Sequence, residues 1–225
     1  MSNQEKMLRD IEAELARTRK MIGRSSFSAR VMRALREVPR AEFVPGDERH
    51  LAYENGPLPI GEGQTISQPY IVALMSDLLE SDEGDVVLEV GTGSGYQAAI
   101  LSRLVEKVYT IEIIEGLHHR ARQTLQRLHY DNVTCRRGDG YHGWLAHAPY
   151  DGILVTAASP DIPPPLVDQL KPGARLVIPV GPPYGYQQLV VVEKRVTGEI
   201  EMQEILGVAF VPLTRQQSED ESERE

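Results

Sequence analysis

The sequence has one cysteine and no long apolar run, so it lacks the features of a disulfide-linked or membrane-spanning protein. Cys135 is its only cysteine, so no internal disulfide can form, and this usage is typical of a reducing compartment such as the cytoplasm. No apolar run approaches the roughly 20 residues that a membrane-spanning helix needs, and Met1 to Arg9 is polar, without the apolar segment of a secretory leader. We therefore expect a cytoplasmic protein that does not associate with membranes.

Several catalytic motifs are also missing. The six histidines are scattered and form neither a His-Glu-x-x-His pair nor a metal-binding spacing with Cys135, so we expect no bound metal. Ser94 is not the centre of a Gly-x-Ser-x-Gly nucleophile elbow, because Thr92 occupies the first position. No lysine follows the nearby glycines as it does in a P-loop, which argues against ATP hydrolysis.

Acidic residues outnumber basic ones and give a formal net charge of −9. Residues 216–225 hold five acidic residues and one basic residue, a composition that predicts a disordered tail. A net acidic chain is a poor candidate for non-specific nucleic-acid binding, so we expect no nucleic-acid partner. We divide one structural domain into N-terminal helices with a binding loop (1–80), a core (81–215) and the tail (216–225).

The most informative segment is the apolar run Val86–Val90, which leads directly into glycines 91, 93 and 95 and then into a helical pattern from Tyr96. A strand, a glycine turn and a helix N-terminus in this order form a corner that cradles nucleotides, because glycine lets the backbone approach a ligand where a Cβ would collide. The glycine spacing differs from the Gly-x-Gly-x-x-Gly dinucleotide fingerprint, and Glu89 precedes it. A carboxylate there would repel a pyrophosphate and suit a cationic ligand such as S-adenosylmethionine.

Strands and helices alternate after this corner, which predicts an α/β fold with a mostly parallel sheet. We predict strands at 86–90, 107–113, 132–136, 150–156 and 174–180, with a turn at Lys171–Gly173. Strands at 188–193 and 205–211 follow without a long helix between them, which predicts antiparallel strands at the C-terminal edge. Glu112 ends a strand at the distance where an acid commonly binds a ribose. Asp139, between two glycines, suits either an adenine contact or an ordinary turn.

Two amphipathic helices are predicted before the core, one over about 4–21 and one that Ser28 caps. Residues 53–70 then form a long loop rich in glycine and proline, as lids and binding loops often are. Pro69 suits the first position of a helix, so Ser67 lies just before a helix N-terminus, where free N–H groups attract anions. From position alone, Ser67 is either a helix cap or a ligand contact.

Several further segments complete a family pattern. They are LPIG at 58–61, QTISQP at 64–69, LEVGTGSGYQAA at 88–99, GDG at 138–140 with Gly143-Trp144, VTAA at 155–158 and FVPL at 210–213. Together they resemble the protein-L-isoaspartate (D-aspartate) O-methyltransferase family of bacterial or archaeal type, over about residues 22–215. The glycine corner alone indicates only a class I methyltransferase, and the loop at 64–69 narrows the resemblance to this family.

The resemblance implies a Rossmann-like, doubly wound fold of seven strands. It also implies methyl transfer from S-adenosylmethionine, with S-adenosylhomocysteine as product and no metal. The acceptor would be the free α-carboxylate of L-isoaspartyl and D-aspartyl residues in damaged proteins and peptides, and we expect the enzyme to be a monomer. By motif, Ser67 would be catalytic. The cofactor would be held by Glu89, Gly91, Thr92, Gly93, Gly95, Glu112, Ile113, Asp139 and Gly140. The substrate would be contacted by Gln64, Thr65, Ile66, Val211 and Thr214.

Three other functions are compatible with a glycine corner. A methyltransferase for RNA or a small molecule would favour an Asn-Pro-Pro-Tyr type motif where this chain has Thr156–Ser159. A module that binds the cofactor without turnover is not favoured by any residue, because the loop serine and the corner are both intact. An NAD-dependent oxidoreductase is opposed by the glycine spacing and by Glu89.

Overall fold

The computed structural model describes residues 2–215, and the tail predicted at 216–225 lies outside them. Helix α1 (Asn3–Ile22) begins with a capping box between Ser2 and Glu5. Helix α2 (Ala29–Glu37) begins where the Ser28 hydroxyl accepts the Val31 N–H at 3.3 Å, which confirms the predicted cap. Both helices pack on each other and on α3 (Pro69–Leu78).

The segment 53–70 is not a loop throughout, because it contains a β-hairpin of β1 (Leu58–Gly61) and β2 (Gln64–Ile66). The turn residues Glu62 and Gly63 have φ of 54° and 69°, the positive values that tight two-residue hairpins require. Leu58 and Ile60 point inward while Pro59 and Gly61 are exposed. Within this hairpin, Gly63 is a turn residue, and Pro59 and Gly61 are exposed residues of β1.

The central sheet has seven strands in the described residues, in the spatial order β5-β4-β3-β6-β7-β8-β9. The first five are parallel and the last two antiparallel, as predicted. The order reverses between β3 and β6, which makes the ends of these strands a topological switch point. The strands are β3 (Val86–Val90), β4 (Lys107–Glu112), β5 (Val133–Arg137), β6 (Tyr150–Val155), β7 (Leu170–Val180), β8 (Gln187–Lys194) and β9 (Ile200–Val208).

Two strand predictions are wrong at their boundaries. Lys171–Gly173, expected as a turn, belongs to β7, where the register with β6 shifts between Tyr150 and Gly152. Leu170 pairs with Tyr150 and Arg175 with Gly152, so the proline and glycine lie in a stretch of β7 that has no paired residue on β6. Strand β9 spans Ile200–Val208 and not 205–211. Its first half is an exposed edge without the buried alternation on which the prediction depends.

The hydrophobic core lies on both faces of the sheet. On one face, Val87 and Leu154 share a cluster with α1, α2, α3 and α4 (Tyr96–Leu101), which α5 (Glu115–Arg127) extends. On the other face, Leu88 and Ile153 pack with α6 (Pro164–Asp168). This alternation is the period of two that a strand imposes on its side chains, and burial on both faces is typical of parallel strands.

Within residues 2–215, none of the helices is both long and apolar enough to cross a membrane. In the same residues, no three His, Cys, Asp or Glu side chains are grouped as a metal site would require.

Candidate active site

A cavity of about 740 Å³, counting the solvent space at its mouth, lies at the carboxyl ends of β3, β4 and β6. This is the switch point of the sheet, where open α/β folds bind their ligands. We call one side of it the strand wall, formed by Val90–Ser94, Ile111–Ile114 and Gly140. The other side, the loop wall, is formed by Gln64–Ser67 and Val211–Thr214.

The three glycines of the corner serve different purposes. Gly91 (φ 96°) passes so close to the end of β6 that a Cβ would lie 2.4 Å from Thr156 Oγ1, and the Thr156 hydroxyl donates to the Gly91 carbonyl. Gly93 (φ 54°) lines the cavity, and a Cβ there would have only the Ile60 side chain within 4 Å, at 3.6 Å. Gly95 (φ 89°) is instead in contact with α5, because its Cβ would lie 3.3 Å from Leu125. Gly95 is therefore a packing residue, while Gly93 leaves room for a ligand.

Glu112 lines the cavity at the end of β4 and is tied to the glycine corner. Its carboxylate accepts the Gly93 N–H at 2.8 Å and the Ile114 N–H at 2.9 Å. Each carboxylate oxygen can accept a second hydrogen bond, so the same group can still bind ribose hydroxyls. The neighbouring Ile113 also lines the cavity.

Glu89 does not face the cavity, although its position beside the glycine turn suggests direct contact with a cationic ligand. Its side chain is 0 % exposed and does not line the cavity. The Thr110 hydroxyl donates to Oε2, while Oε1 has no hydrogen-bond partner among the described residues. Burial raises the pKa of Glu89 to about 8, and the nearby Glu112 carboxylate adds to the rise. Thr110 in turn bonds to Thr92 at 2.6 Å, so Glu89 supports the corner from behind.

Asp139 and Gly140 follow β5. The Asp139 side chain accepts the Tyr141 N–H at 2.9 Å and caps a short 3₁₀ turn, and Arg215 lies 3.9 Å from its other oxygen. Asp139 does not line the cavity, whereas Gly140 does. A Cβ on Gly140 would lie 2.4 Å from Val90, so glycine is needed for the contact with β3.

Ser67 lies in the loop wall directly after the hairpin and makes no helix cap. The N-cap of α3 is Gln68, without a side-chain cap bond. The Tyr70 N–H is instead accepted by Asn55 Oδ1 at 3.0 Å, and Gln68 donates to the Asn55 carbonyl. The capping alternative for Ser67 is therefore wrong, and its side chain is available at the cavity. Pro69 has no N–H, and the N–H of Tyr70 is already bonded to Asn55. The N-terminus of α3 therefore has fewer free N–H groups for an anion than the sequence suggests.

The other half of the loop wall, Val211–Thr214, is held by contacts that cannot be predicted from a sequence motif. Gln187, 1 % exposed, pairs its side chain with the backbone of Phe210: Oε1 accepts the N–H at 2.6 Å and Nε2 donates to the carbonyl at 3.1 Å. On the opposite side, Ala158 N–H donates to the Val211 carbonyl and the Ala158 carbonyl accepts the Leu213 N–H, both at 2.8 Å. The segment is thus clamped between a side chain and a backbone edge.

The cavity brings together most of the residues that the sequence indicated. Ser67, all five expected substrate contacts and six of the nine expected cofactor contacts line it, and Glu89, Gly95 and Asp139 do not. Sequence reasoning did not assign a role to several lining residues, although the VTAA and FVPL segments contain four of them. These unassigned residues are Val72, Val90, Ser94, Tyr96, Gln97, Ile111, Ile114, Leu117, Thr156, Ala157, Pro212 and Leu213.

These residues fit S-adenosylmethionine. The position of Gly93 leaves a cradle that a Cβ would enter, and the Glu112 carboxylate lies beside it with acceptor capacity for a ribose. Ile111, Ile113 and Leu117 add apolar lining suited to a nucleoside.

Comparison with known proteins agrees with this geometry. The sequence profile of the family described as protein-L-isoaspartate(D-aspartate) O-methyltransferase matches residues 13–218. The chain belongs to this family. Two relatives named protein-L-isoaspartate O-methyltransferase 2 support the assignment. That of Syntrophobacter fumaroxidans is 61 % identical over 93 % of this chain and 85 % of its own length, and that of Polaromonas sp. is 60 % identical over 93 % and 100 %.

Solved structures confirm the fold of this family member. A protein-L-isoaspartate O-methyltransferase superposes with a TM-score of 0.80 and 29 % identity, over 93 % of this chain, which spans 65 % of that protein. A second structure is described as a putative protein-L-isoaspartate O-methyltransferase from Plasmodium falciparum in complex with S-adenosyl-L-homocysteine. It superposes with a TM-score of 0.74 and 24 % identity, over 92 % of this chain and 98 % of that one. The predicted class I methyltransferase fold is therefore confirmed.

Proposed function

We propose that this chain transfers the methyl group of S-adenosylmethionine to the free α-carboxylate of L-isoaspartyl and D-aspartyl residues in damaged proteins and peptides. The observation that carries the proposal is that one cavity joins Ser67 and Val211–Thr214 on the loop wall to Gly93 and Glu112 on the strand wall. A site for this reaction needs both a nucleoside cradle and a polar group for the acceptor in one space.

The acceptor needs little activation. A carboxylate is ionised near neutral pH, so no general base is required, which is consistent with a cavity lined by no histidine, cysteine or lysine among the described residues. The cofactor, when bound, supplies a methyl group already activated on a sulfonium. The work left to the protein is to align the acceptor oxygen and to exclude water.

We assign Ser67 as the residue that orients the acceptor. Its hydroxyl can donate a hydrogen bond to the substrate carboxylate, and it forms no covalent intermediate in this scheme. Hydrogen bonds of this kind to an ionised group are stronger than neutral ones. Gln64, Thr65 and Ile66, which precede Ser67 on the hairpin, and Val211 and Thr214 opposite, would hold the peptide.

On the strand wall, we propose that direct cofactor contacts come from Gly91, Thr92, Gly93, Glu112, Ile113 and Gly140. Glu89, Gly95 and Asp139 act one layer behind, by supporting the turns on which those residues lie. An isoaspartyl link carries an additional backbone methylene, so recognition by the main chain of the loop wall would permit wide variation in the surrounding sequence.

The test is transfer of labelled methyl from S-adenosylmethionine to two synthetic peptides that differ only in one isoaspartyl or one normal aspartyl link. We expect base-labile label on the isoaspartyl peptide alone. Label on both peptides would refute the selectivity. Label on neither, from folded protein that binds S-adenosylhomocysteine in calorimetry, would refute the acceptor and leave the cofactor site standing.

The predicted cytoplasmic location and monomeric state belong to this proposal. The single cysteine supports a reducing compartment. Light scattering coupled to gel filtration checks the monomer, for which we expect a mass near 25.1 kDa.

A further inference from the structure

A second groove, of about 1250 Å³ counting open solvent, continues from the loop wall away from the strand ends. It shares Thr65, Ser67, Thr156 and Val211 with the catalytic cavity. A peptide whose isoaspartyl carboxylate lies at Ser67 has neighbouring residues on both sides of that link, and this groove is a continuous space for one of them.

The groove has apolar sides and little charge. Leu206 and Phe210 form part of one side, and Tyr70 with Ile71 forms part of the other. Tyr70 is held by a 2.6 Å hydrogen bond to Thr18 of α1. Among the described residues that line the groove, Glu14 is the only one with a carboxylate or a basic group, and it is paired with Arg17 at 3.0 Å. Such a surface favours an apolar side chain and disfavours an acidic one.

Tyr186 lies at the rim of the groove and has no role in the proposed methyl transfer. It is 75 % exposed, yet its position is defined, since its hydroxyl donates to Gln188 Oε1 at 2.9 Å. The ring also lies over Gly207 of β9, where a Cβ would be 3.5 Å from it. An aromatic ring held in place with a face open to solvent is a ready contact surface for another apolar group, at low entropic cost.

We propose that this groove is a subsite for the side chain of a residue flanking the isoaspartyl link, and that Tyr186 makes it selective for aromatic and large aliphatic side chains. This inference rests on the proposed function, which it deepens by naming a preference among isoaspartyl substrates. The continuity of the groove with Ser67 identifies the occupant as substrate, because the two spaces share one wall.

The experiment compares kcat/KM on four isoaspartyl peptides. One has glycine on both sides of the link, two have phenylalanine on the N-terminal or the C-terminal side, and one has glutamate on the side where phenylalanine is better. We expect one phenylalanine peptide to exceed the glycine peptide by about tenfold, as burial of an aromatic side chain supports, and the glutamate peptide to be no better than glycine.

Three variants locate the effect. Tyr186→Ala should reduce the ratio between the better phenylalanine peptide and the glycine peptide to about twofold or less. Tyr186→Phe, which keeps the ring, should retain it. Tyr184→Ala is the matched control, because Tyr184 is 90 % exposed on the same turn and does not line the groove, and it should leave both activity and ratio unchanged.

The outcomes separate the two proposals. Equal rates of the wild type on glycine and phenylalanine peptides, or an unchanged ratio in Tyr186→Ala, would overturn the subsite while methyl transfer to isoaspartate stands. A Tyr186→Ala protein that loses the glycine peptide as well would also overturn it, since the ring would then have a structural role. No methylation of any of the four peptides by the wild type would instead refute the proposed function.

Discussion

The strand wall and the loop wall of the cavity are built in different ways. The strand wall consists of the ends of β3 and β4 and the residues that follow β3, β4 and β5, and its bonds join the ends of neighbouring strands, as from Gly93 to Glu112 and from Thr156 to Gly91. The loop wall joins a hairpin near residue 60 to a segment near residue 210. Side chains outside the wall fix the residues next to each half: Asn55 accepts the Tyr70 N–H after Ser67, and Gln187 binds the backbone of Phe210 before Val211. The segments of the strand wall follow successive strands and can be recognised from sequence motifs. The two halves of the loop wall are about 150 residues apart, so their meeting depends on the fold of the whole chain.

The largest expected effect is on the strand wall. Gly93→Val should abolish measurable cofactor binding, at least a hundredfold loss, because the side chain enters the cradle and the residue has a φ of 54° that valine rarely adopts. Calorimetry with S-adenosylhomocysteine measures it. Gly198→Val is the control, since Gly198 (φ 89°) has the same strain with no atom within 4 Å of its Cβ position. Normal binding by a folded Gly93→Val protein would remove the corner from the cofactor site.

The next effect tests whether the two walls divide their roles. Ser67→Ala should lower turnover on an isoaspartyl peptide by about 10- to 100-fold, the order of one lost hydrogen bond to a charged group, with nearly unchanged affinity for S-adenosylhomocysteine. The exposed Ser26 provides the control Ser26→Ala. If Ser67→Ala also loses the cofactor, the separation of the walls is wrong.

Gln187 tests how the loop wall is held. Gln187→Met keeps the length of the side chain but removes both bonds to Phe210, so kcat/KM for the peptide should fall by roughly tenfold, as expected for about 1.4 kcal/mol of lost positioning. Cofactor affinity should be unchanged. Gln203→Met, on the exposed part of β9, is the matched control. Equal losses for cofactor and peptide would show that the segment supports both walls.

The smallest effect concerns the support behind the strand wall. Burial raises the pKa of Glu89 to about 8 from 4.5, so the folded state holds this proton more tightly than the unfolded state. The contribution of protonated Glu89 to the free energy of unfolding is complete below about pH 4.5 and is lost as pH rises through 8. Glu89→Gln cannot lose a proton, so its thermal midpoint should fall by a few degrees less between pH 5 and pH 8.5 than that of the wild type. Glu106→Gln, at an exposed site, should follow the wild type. Identical slopes for Glu89→Gln and the wild type would contradict the raised pKa of Glu89.

Much of the strand wall could be predicted because its signals are local. An apolar run before glycines, and an acid 19 residues after Gly93, report on a strand end and its turn without reference to the remainder of the chain. The contact of Gly95 with α5 could not be predicted for the opposite reason, since only the packing of α5 shows what a Cβ at this position would meet. Asp139 remained ambiguous in the sequence because turns and ligand contacts use the same residue types.

The sequence by itself determined the α/β class, the parallel sheet with its antiparallel edge, the glycine corner and the family pattern, because each depends on short-range periodicity or on a motif of consecutive residues. The tertiary structure alone decided that residues 58–66 form a hairpin, that Asn55 and not Ser67 caps α3, that Glu89 is buried behind the site, that Gln187 holds Phe210 and that Tyr186 lines the adjoining groove. Those features depend on which distant groups meet when the chain packs, and burial, pairing and cavity shape arise only from that packing.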